Sequence, residues 1–243
     1  MNTKKKTLAV LFGGHSSEYE VSLQSAAAVL EAVDTERFDP LPIGITKDGN
    51  WHHYLGTYSA IAAGTWVDDS TLLRPAAFSP SRGAPGFWEL HNGKWMLRRI
   101  DLAFPVLHGK NGEDGTVQGL FELSGIPLVG CGTLASALCM DKDRAHKLVS
   151  LAGIAVPKSV VLEKNTTAAR QKILDTLSFP VFVKPVRAGS SFGVTRVESR
   201  DALGTAVDAA FRYDSSVIVE EAVPGFEVGC AVLGTDTLTV GRT

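Results

Sequence analysis

The sequence predicts an α/β fold, with a doubly wound parallel sheet first, a β-α-β-β-α-β unit of the split-βαβ type second, and the start of a further unit last. Three observations lead there. An apolar run from Thr7 to Phe12 is followed by Gly13-Gly14 and then by Leu23, Ala26, Ala27, Leu30 and Val33 at helical spacing, which is how a doubly wound sheet opens. From Ser159 onward, short β-type runs alternate with helical stripes. Between residues 180 and 194, Lys184 ends an apolar strand just before an Arg-Ala-Gly-Ser-Ser-Phe-Gly loop.

Ser17 with Glu20 three residues on has the pattern of a capping box for the first helix. Glu18 falls in its first turn. There it either complements the helix dipole or stands at the mouth of the sheet to receive an ammonium group. The Gly-x-Gly-x-x-Gly fingerprint is absent, which excludes nicotinamide or flavin binding at this turn. Leu41 to Thr46 reads as the second strand, turning at Asp48-Gly49. Residues 56–86 are rich in Ser, Ala, Gly and Pro with weak periodicity and read as a long loop. Phe87 to Leu90 and Trp95 to Arg98 flank Asn92-Gly93, a hairpin signal.

Asp101 to Leu107 reads as a strand that delivers His108 to its carboxyl end, where ligands of open α/β sheets collect. His108 is thus either a structural histidine or a substrate contact. Thr116 to Ser124 reads as a helix, Ile126 to Val129 as a short strand, and Thr133 to Ala152 as one long helix stopped by Gly153. The following elements are Ser159–Leu162 (strand), Thr166–Leu177 (helix), Val181–Lys184 (strand), Val194–Val197 (strand), Asp201–Arg212 (helix) and Val217–Glu220 (strand). Val228 to Leu233 and Asp236 to Val240 read as strands of the last unit. The expected domains are 1–130, 131–220 and 221–243.

Alternation along Val181 to Lys184 sends the valines to one face and Phe182 with Lys184 to the other. A lysine beside a glycine- and serine-rich loop suits an anion, because backbone N–H groups there can approach it closely. The loop joins two strands rather than opening a helix, so it is no P-loop. A polar hairpin tip with an incidental lysine is the alternative.

With 243 residues and 44% apolar content the chain can build a substantial core. A net charge of −2 leaves no electrostatic footprint for nucleic acid or an anionic membrane. The apolar run after Lys4-Lys5-Lys6 is too short for a signal peptide or a membrane span. Cys131, Cys139 and Cys230 lack metal-ligand spacing and are expected as core residues in a reduced, cytoplasmic compartment.

Taken together, Phe12-Gly-Gly-His-Ser-Ser-Glu-Tyr-Glu-Val-Ser22, Pro105-Val-Leu-His-Gly-Lys-Asn-Gly-Glu-Asp-Gly-Thr-Val-Gln-Gly119, Ala137-Leu-Cys-Met-Asp-Lys142, Val183-Lys-Pro-Val-Arg-Ala-Gly-Ser-Ser-Phe-Gly193 and Val219-Glu-Glu-Ala-Val-Pro-Gly-Phe-Glu227 resemble the D-alanine–D-alanine ligase family of the ATP-grasp superfamily. The wording is similar to the vancomycin-resistance subgroup that makes D-alanine–D-serine. The resemblance implies an ATP-dependent ligase for peptidoglycan precursors that joins D-alanine to a second D-amino acid through an acyl phosphate. It implies ATP contacts from Lys142, Lys184, Gly189, Ser190, Ser191, Gly193, Glu220, Glu221, Val223 and Glu227. Glu18 would receive the first substrate's ammonium group with Ser190 bonded nearby, and His108 would touch its carboxyl region. Magnesium ligands are expected beyond these residues, in the rest of a carboxy-terminal domain, so this chain alone is expected not to ligate. A homodimer is expected of the full-length protein. The alternatives are an ATP-grasp ligase for another carboxylate and a non-catalytic nucleotide-binding fragment.

Overall fold

The run Leu8 to Phe12 is apolar at every position because strand β1 (Lys6–Gly13) is covered on both faces in the computed structural model of the protein. Leu8, Val10 and Phe12 pack against helix α1 (Tyr19–Ala32). Ala9 and Leu11 face the opposite core, where Val117 and Phe121 of helix α3 (Thr116–Ser124) lie. The structure describes residues 4–234 and 239–242. Among them no helix is long and apolar enough to cross a membrane.

The amino-terminal sheet has seven strands in the order β6-β5-β4-β3-β2-β1-β7. Only β2 (Phe38–Ile45), β1 and β7 (Leu102–Pro105) run parallel. The rest is an antiparallel meander through β3 (Trp51–Tyr54), β4 (Leu73–Ser79), β5 (Gly86–His91) and β6 (Lys94–Arg99). The expected parallel sheet is thus extended by antiparallel strands, which the short β2–β3, β4–β5 and β5–β6 connections require. The stretch expected as a loop at 56–86 holds helix α2 (Tyr58–Ala62), a 3-10 turn at Ser70–Leu72 and β4. Its Ile61 and Trp66 are buried against α1, and the Trp66 indole N–H donates to the Tyr19 hydroxyl at 2.8 Å. The Asn92-Gly93 hairpin is present, with both residues at positive φ. The strand expected at 126–129 is reduced to one bridge, Leu128 to Ala103.

The single helix expected over 133–152 is broken into α4 (Thr133–Met140) and α5 (Lys142–Leu151). Asp141 leaves helical geometry at the break and caps α5, accepting from the Arg144 amide at 3.0 Å and its guanidinium at 2.6 Å.

The second sheet comprises β8 (Ser159–Leu162), β9 (Val181–Pro185), β10 (Thr195–Val197) and β11 (Val217–Glu221), in the order β10-β9-β11-β8. Helices α6 (Thr167–Thr176) and α7 (Arg200–Ala210) cover one face, packing Ile173, Leu203 and Val207 on Val181, Val183, Val217 and Val219. The other face carries Phe182, Lys184, Ile218 and Glu220 by strict alternation. Thr166 caps α6 by accepting from the Ala169 amide at 3.1 Å. A hairpin of β12 (Cys230–Leu233) and β13 (Thr239–Arg242) follows. The strand expected from Asp236 therefore begins partly outside the described residues.

Candidate functional site

The face of the second sheet turned away from α6 and α7 contributes Phe182 and Lys184 to a cleft of about 590 Å³. On it, antiparallel register places Ile218 opposite Lys184 and Glu220 opposite Phe182, so Lys184 and Glu220 are diagonal neighbours. The Lys184 ammonium donates to Glu220 Oε1 and lies 5.3 Å from the Phe182 ring centroid. Glu220 is 4% exposed, a burial a carboxylate tolerates only when paired.

Lys142, first residue of α5, enters the same cleft. Its ammonium donates to the carbonyls of Ala188 at 2.5 Å and Val186 at 3.4 Å. Burial holds its pKa below the usual lysine value, and the nearby Lys184 charge pushes the same way against Glu220, Asp214 and Asp141. Two ammonium groups therefore share the cleft, and only Lys184 has a carboxylate as hydrogen-bond partner there.

The glycine loop forms the wall. Arg187 anchors its root, donating from its amide (2.7 Å), Nε (3.1 Å) and Nη2 (2.7 Å) to Asp214. Burial alone would raise the Asp214 pKa, but hydrogen bonds and charge from Arg187 outweigh it and hold the carboxyl below its ordinary value. Ser190 (φ +46°) and Ser191 (φ +58°) both adopt the left-handed region, which non-glycine residues seldom visit. That turn aims the Ser190 hydroxyl at Glu18, to which it donates.

Glu18 is the residue before α1, 4% exposed. The expected Ser17–Glu20 capping box is absent: Ser16 Oγ accepts the Glu18 amide at 3.1 Å, and Glu20 pairs with Lys47 at 2.5 Å. Two glycines make room for the carboxylate. A Cβ on Gly189 would lie 2.8 Å from Glu18 Oε2, and one on Gly109, at φ +68°, would press on the same oxygen. Sequence reading took Gly109 as a turn former only. Its amide donates to Glu113 Oε2 at 2.8 Å, and Glu113 itself lines the cleft.

Of the expected site residues, Lys142, Lys184, Gly189, Ser190, Ser191 and Glu227 line this cleft, and Glu18 closes it beside Ser190. Glu227 and Val223 are exposed. Gly193 shapes the loop, with φ +69° and no space for a side chain against Tyr213 and Pro185. Glu221 points away, accepting from the Ser178 amide at 3.4 Å, because it follows Glu220 on a pleated strand. His108 is not in the cleft. Its Nε2 lies 3.1 Å from Ser25 Oγ, and it lines a neighbouring cavity of about 300 Å³ with Trp51 and Leu107. Asp214 and His146, which stands 3.7 Å from Glu220, were missed. No sequence pattern marks either one. The three cysteines are exposed, against the core placement expected of them, and Cys139 lines the cleft. Among the described residues no group of three or more His, Cys, Asp or Glu is placed to hold a metal ion.

A parallel-containing α/β domain joined to a one-sided antiparallel sheet, with lysines and a glycine loop on the open face, defines the ATP-grasp fold. Residues 7–131 match the family model described as D-ala D-ala ligase N-terminus, and residues 148–243 match D-ala D-ala ligase C-terminus. The chain belongs to the D-alanine–D-alanine ligase family. It is 49% identical over 239 residues to the vancomycin B-type resistance protein VanB of Enterococcus faecalis, covering 98% of this chain and 66% of that protein. The crystal structure of VanG D-Ala:D-Ser ligase from Enterococcus faecalis superposes with a TM-score of 0.90 at 58% identity, covering 98% of this chain and 69% of that one. A D-alanine–D-alanine ligase from Bacillus anthracis complexed with ATP gives 0.59 at 28% identity, covering 90% and 60%. The chain thus spans about two thirds of the length of the curated relatives it matches.

Proposed function

We propose that these residues bind ATP and a first D-alanine for an ATP-dependent ligase that joins D-alanine to a second D-amino acid in making peptidoglycan precursors. The observation that carries this reading is the bond from Ser190, in the glycine loop of one domain, to the buried Glu18 of the other. It sets a carboxylate suited to a substrate ammonium group against a cleft suited to phosphates.

In this reading Lys142 and Lys184 take the phosphate oxygens from two directions, with Gly189, Ser190, Ser191 and Gly193 forming the loop over them. Glu220, the backbone near Val223 and Glu227 receive the adenosine part, and Glu221 supports them from the strand. Glu18 holds the ammonium group of D-alanine so that its carboxylate lies near the phosphate to be transferred, the positioning on which such chemistry depends. The amine of the second substrate then attacks the acyl phosphate, forming the amide as phosphate leaves. His108 acts from behind the loop, through Ser25 and Glu113, rather than from the cleft.

Similarity to VanG favours D-serine as the second substrate. The division at 130 and 220, a cytoplasmic location and a homodimer belong to the same proposal. The support for the first division is that one family model ends at residue 131 and the other begins at residue 148. Calorimetric titration of the 243-residue chain with ATP, then with D-alanine in the presence of a non-hydrolysable ATP analogue, tests it. Saturable binding of both is expected, and the absence of both would end the reading.

A further inference from the structure

We propose that His146 is a positioning residue of the nucleotide cleft, the reserve partner that takes up Glu220 when Lys184 turns to phosphate. The inference rests on the nucleotide reading above. His146 stands one helical turn after Lys142 on α5, so both side chains leave the same helix face. Its Nδ1 lies 3.7 Å from Glu220 Oε2, beyond hydrogen-bond range. Both atoms are buried, and among the described residues neither has a hydrogen-bond partner. Glu220 Oε1, by contrast, is held by Lys184. Buried polar atoms are nearly always paired. Two orphans facing each other therefore mark an arrangement that is completed in another state of the site.

The nucleotide-bound state supplies the reason for completion. A phosphate draws Lys184 away and would leave Glu220, whose side chain is 5% exposed, as a buried carboxylate without its cation. Lys142 does not replace it, because its ammonium, otherwise bonded to the Val186 and Ala188 carbonyls, turns to the same phosphates. Asp143 and Lys147, beside His146 on α5, are paired with each other at 2.6 Å. An approach of roughly 1 Å brings the imidazole into hydrogen-bond range. Nδ1–H then donates to Oε2, and the carboxylate keeps its place while the lysine changes partner.

Calorimetric affinities for ATP and for adenosine, in the wild-type chain, His146→Ala and His146→Asn, test the exchange. His146→Ala is expected to weaken ATP about tenfold, the size of one hydrogen bond to a charged group. Adenosine, which has no phosphate to draw Lys184, should change by less than about twofold, and Asn should recover most of the ATP loss. Unchanged ATP affinity in His146→Ala, or equal loss for both ligands, overturns the proposal. If the wild-type chain binds neither ligand, the nucleotide reading itself fails, and a ligand-free arm decides the exchange. In Lys184→Met the His146 Nδ1–H proton should become visible by NMR as a protected downfield resonance, and it should vanish in Lys184→Met/Glu220→Gln. Its absence from the single variant overturns the exchange.

Discussion

Two carboxylates of the amino-terminal domain are almost equally buried, Glu18 at 4% and Glu89 at 3% exposed, yet their surroundings differ in kind. Glu89, on β5, is held from three sides within its own domain: by a hydrogen bond with His53 Nδ1 at 2.6 Å and by the guanidinium groups of Arg74 at 3.2 Å and Arg98 at 3.9 Å. Glu18 forms no ion pair among the described residues, and what holds it is a serine hydroxyl from the other domain between two glycines. A buried charge satisfied inside the fold serves the fold. One whose cation has to come from outside serves a ligand.

The largest effect that would sharpen this contrast is expected at Glu89. Glu89→Ala leaves His53 and Arg74 without their acceptor and should cost about 3–5 kcal/mol, lowering Tm by roughly 10 °C for a chain of this size. Nucleotide affinity of the folded protein should not change. Glu18→Gln should do the reverse: D-alanine affinity falls by about a hundredfold, near 3 kcal/mol, with Tm equal to or above the wild type. If thermal melts show both variants destabilised alike, the distinction between the two carboxylates is lost. A smaller effect belongs to Gly109→Ala, which displaces Glu18 Oε2 and strains a left-handed residue. D-alanine should weaken about tenfold, and stability should fall by about 1 kcal/mol.

The smallest effect is one of pH. Asp214 titrates below its ordinary value of 3.8 when folded. Its contribution to stability is therefore complete above that value and disappears as pH falls through the lower folded one. The Tm difference between wild type and Asp214→Asn should be constant above about pH 5 and shrink below about pH 3. A difference that persists at pH 2 would show that the Arg187 anchor does not depend on charge.

The same contrast explains what was legible in the sequence. The elements from Ser159 to Glu221 were placed to within a residue or two, because α7 carries an unbroken apolar stripe on Leu203, Ala206, Val207 and Ala210 and the valines of β9 and β11 alternate. Lys184 and the loop stood out because strand and glycine chemistry are local. Helix α2 has five residues, too few to show a period, and β4 is broken up by Pro75, Ala76 and Ala77. The break at Asp141 was hidden because good helix formers stand on both sides of it, Leu138 and Met140 before and Lys142, Arg144 and Ala145 after, and only its capping geometry ends α4. The capping box failed because Lys47, distant in sequence, takes Glu20. Glu89, Asp214 and His146 owe their roles to partners 9 to 74 residues away, which no local pattern carries.

The central claim is that Glu18, presented by Ser190 beside the two-lysine cleft, is the ammonium receptor of the first substrate. Its direct test is D-alanine binding in the presence of a non-hydrolysable ATP analogue, measured by calorimetry on the wild-type chain and on Glu18→Gln. The account predicts saturable binding to the wild type and its loss in Glu18→Gln, with analogue affinity the same in both. D-alanine binding of equal strength in Glu18→Gln would contradict it.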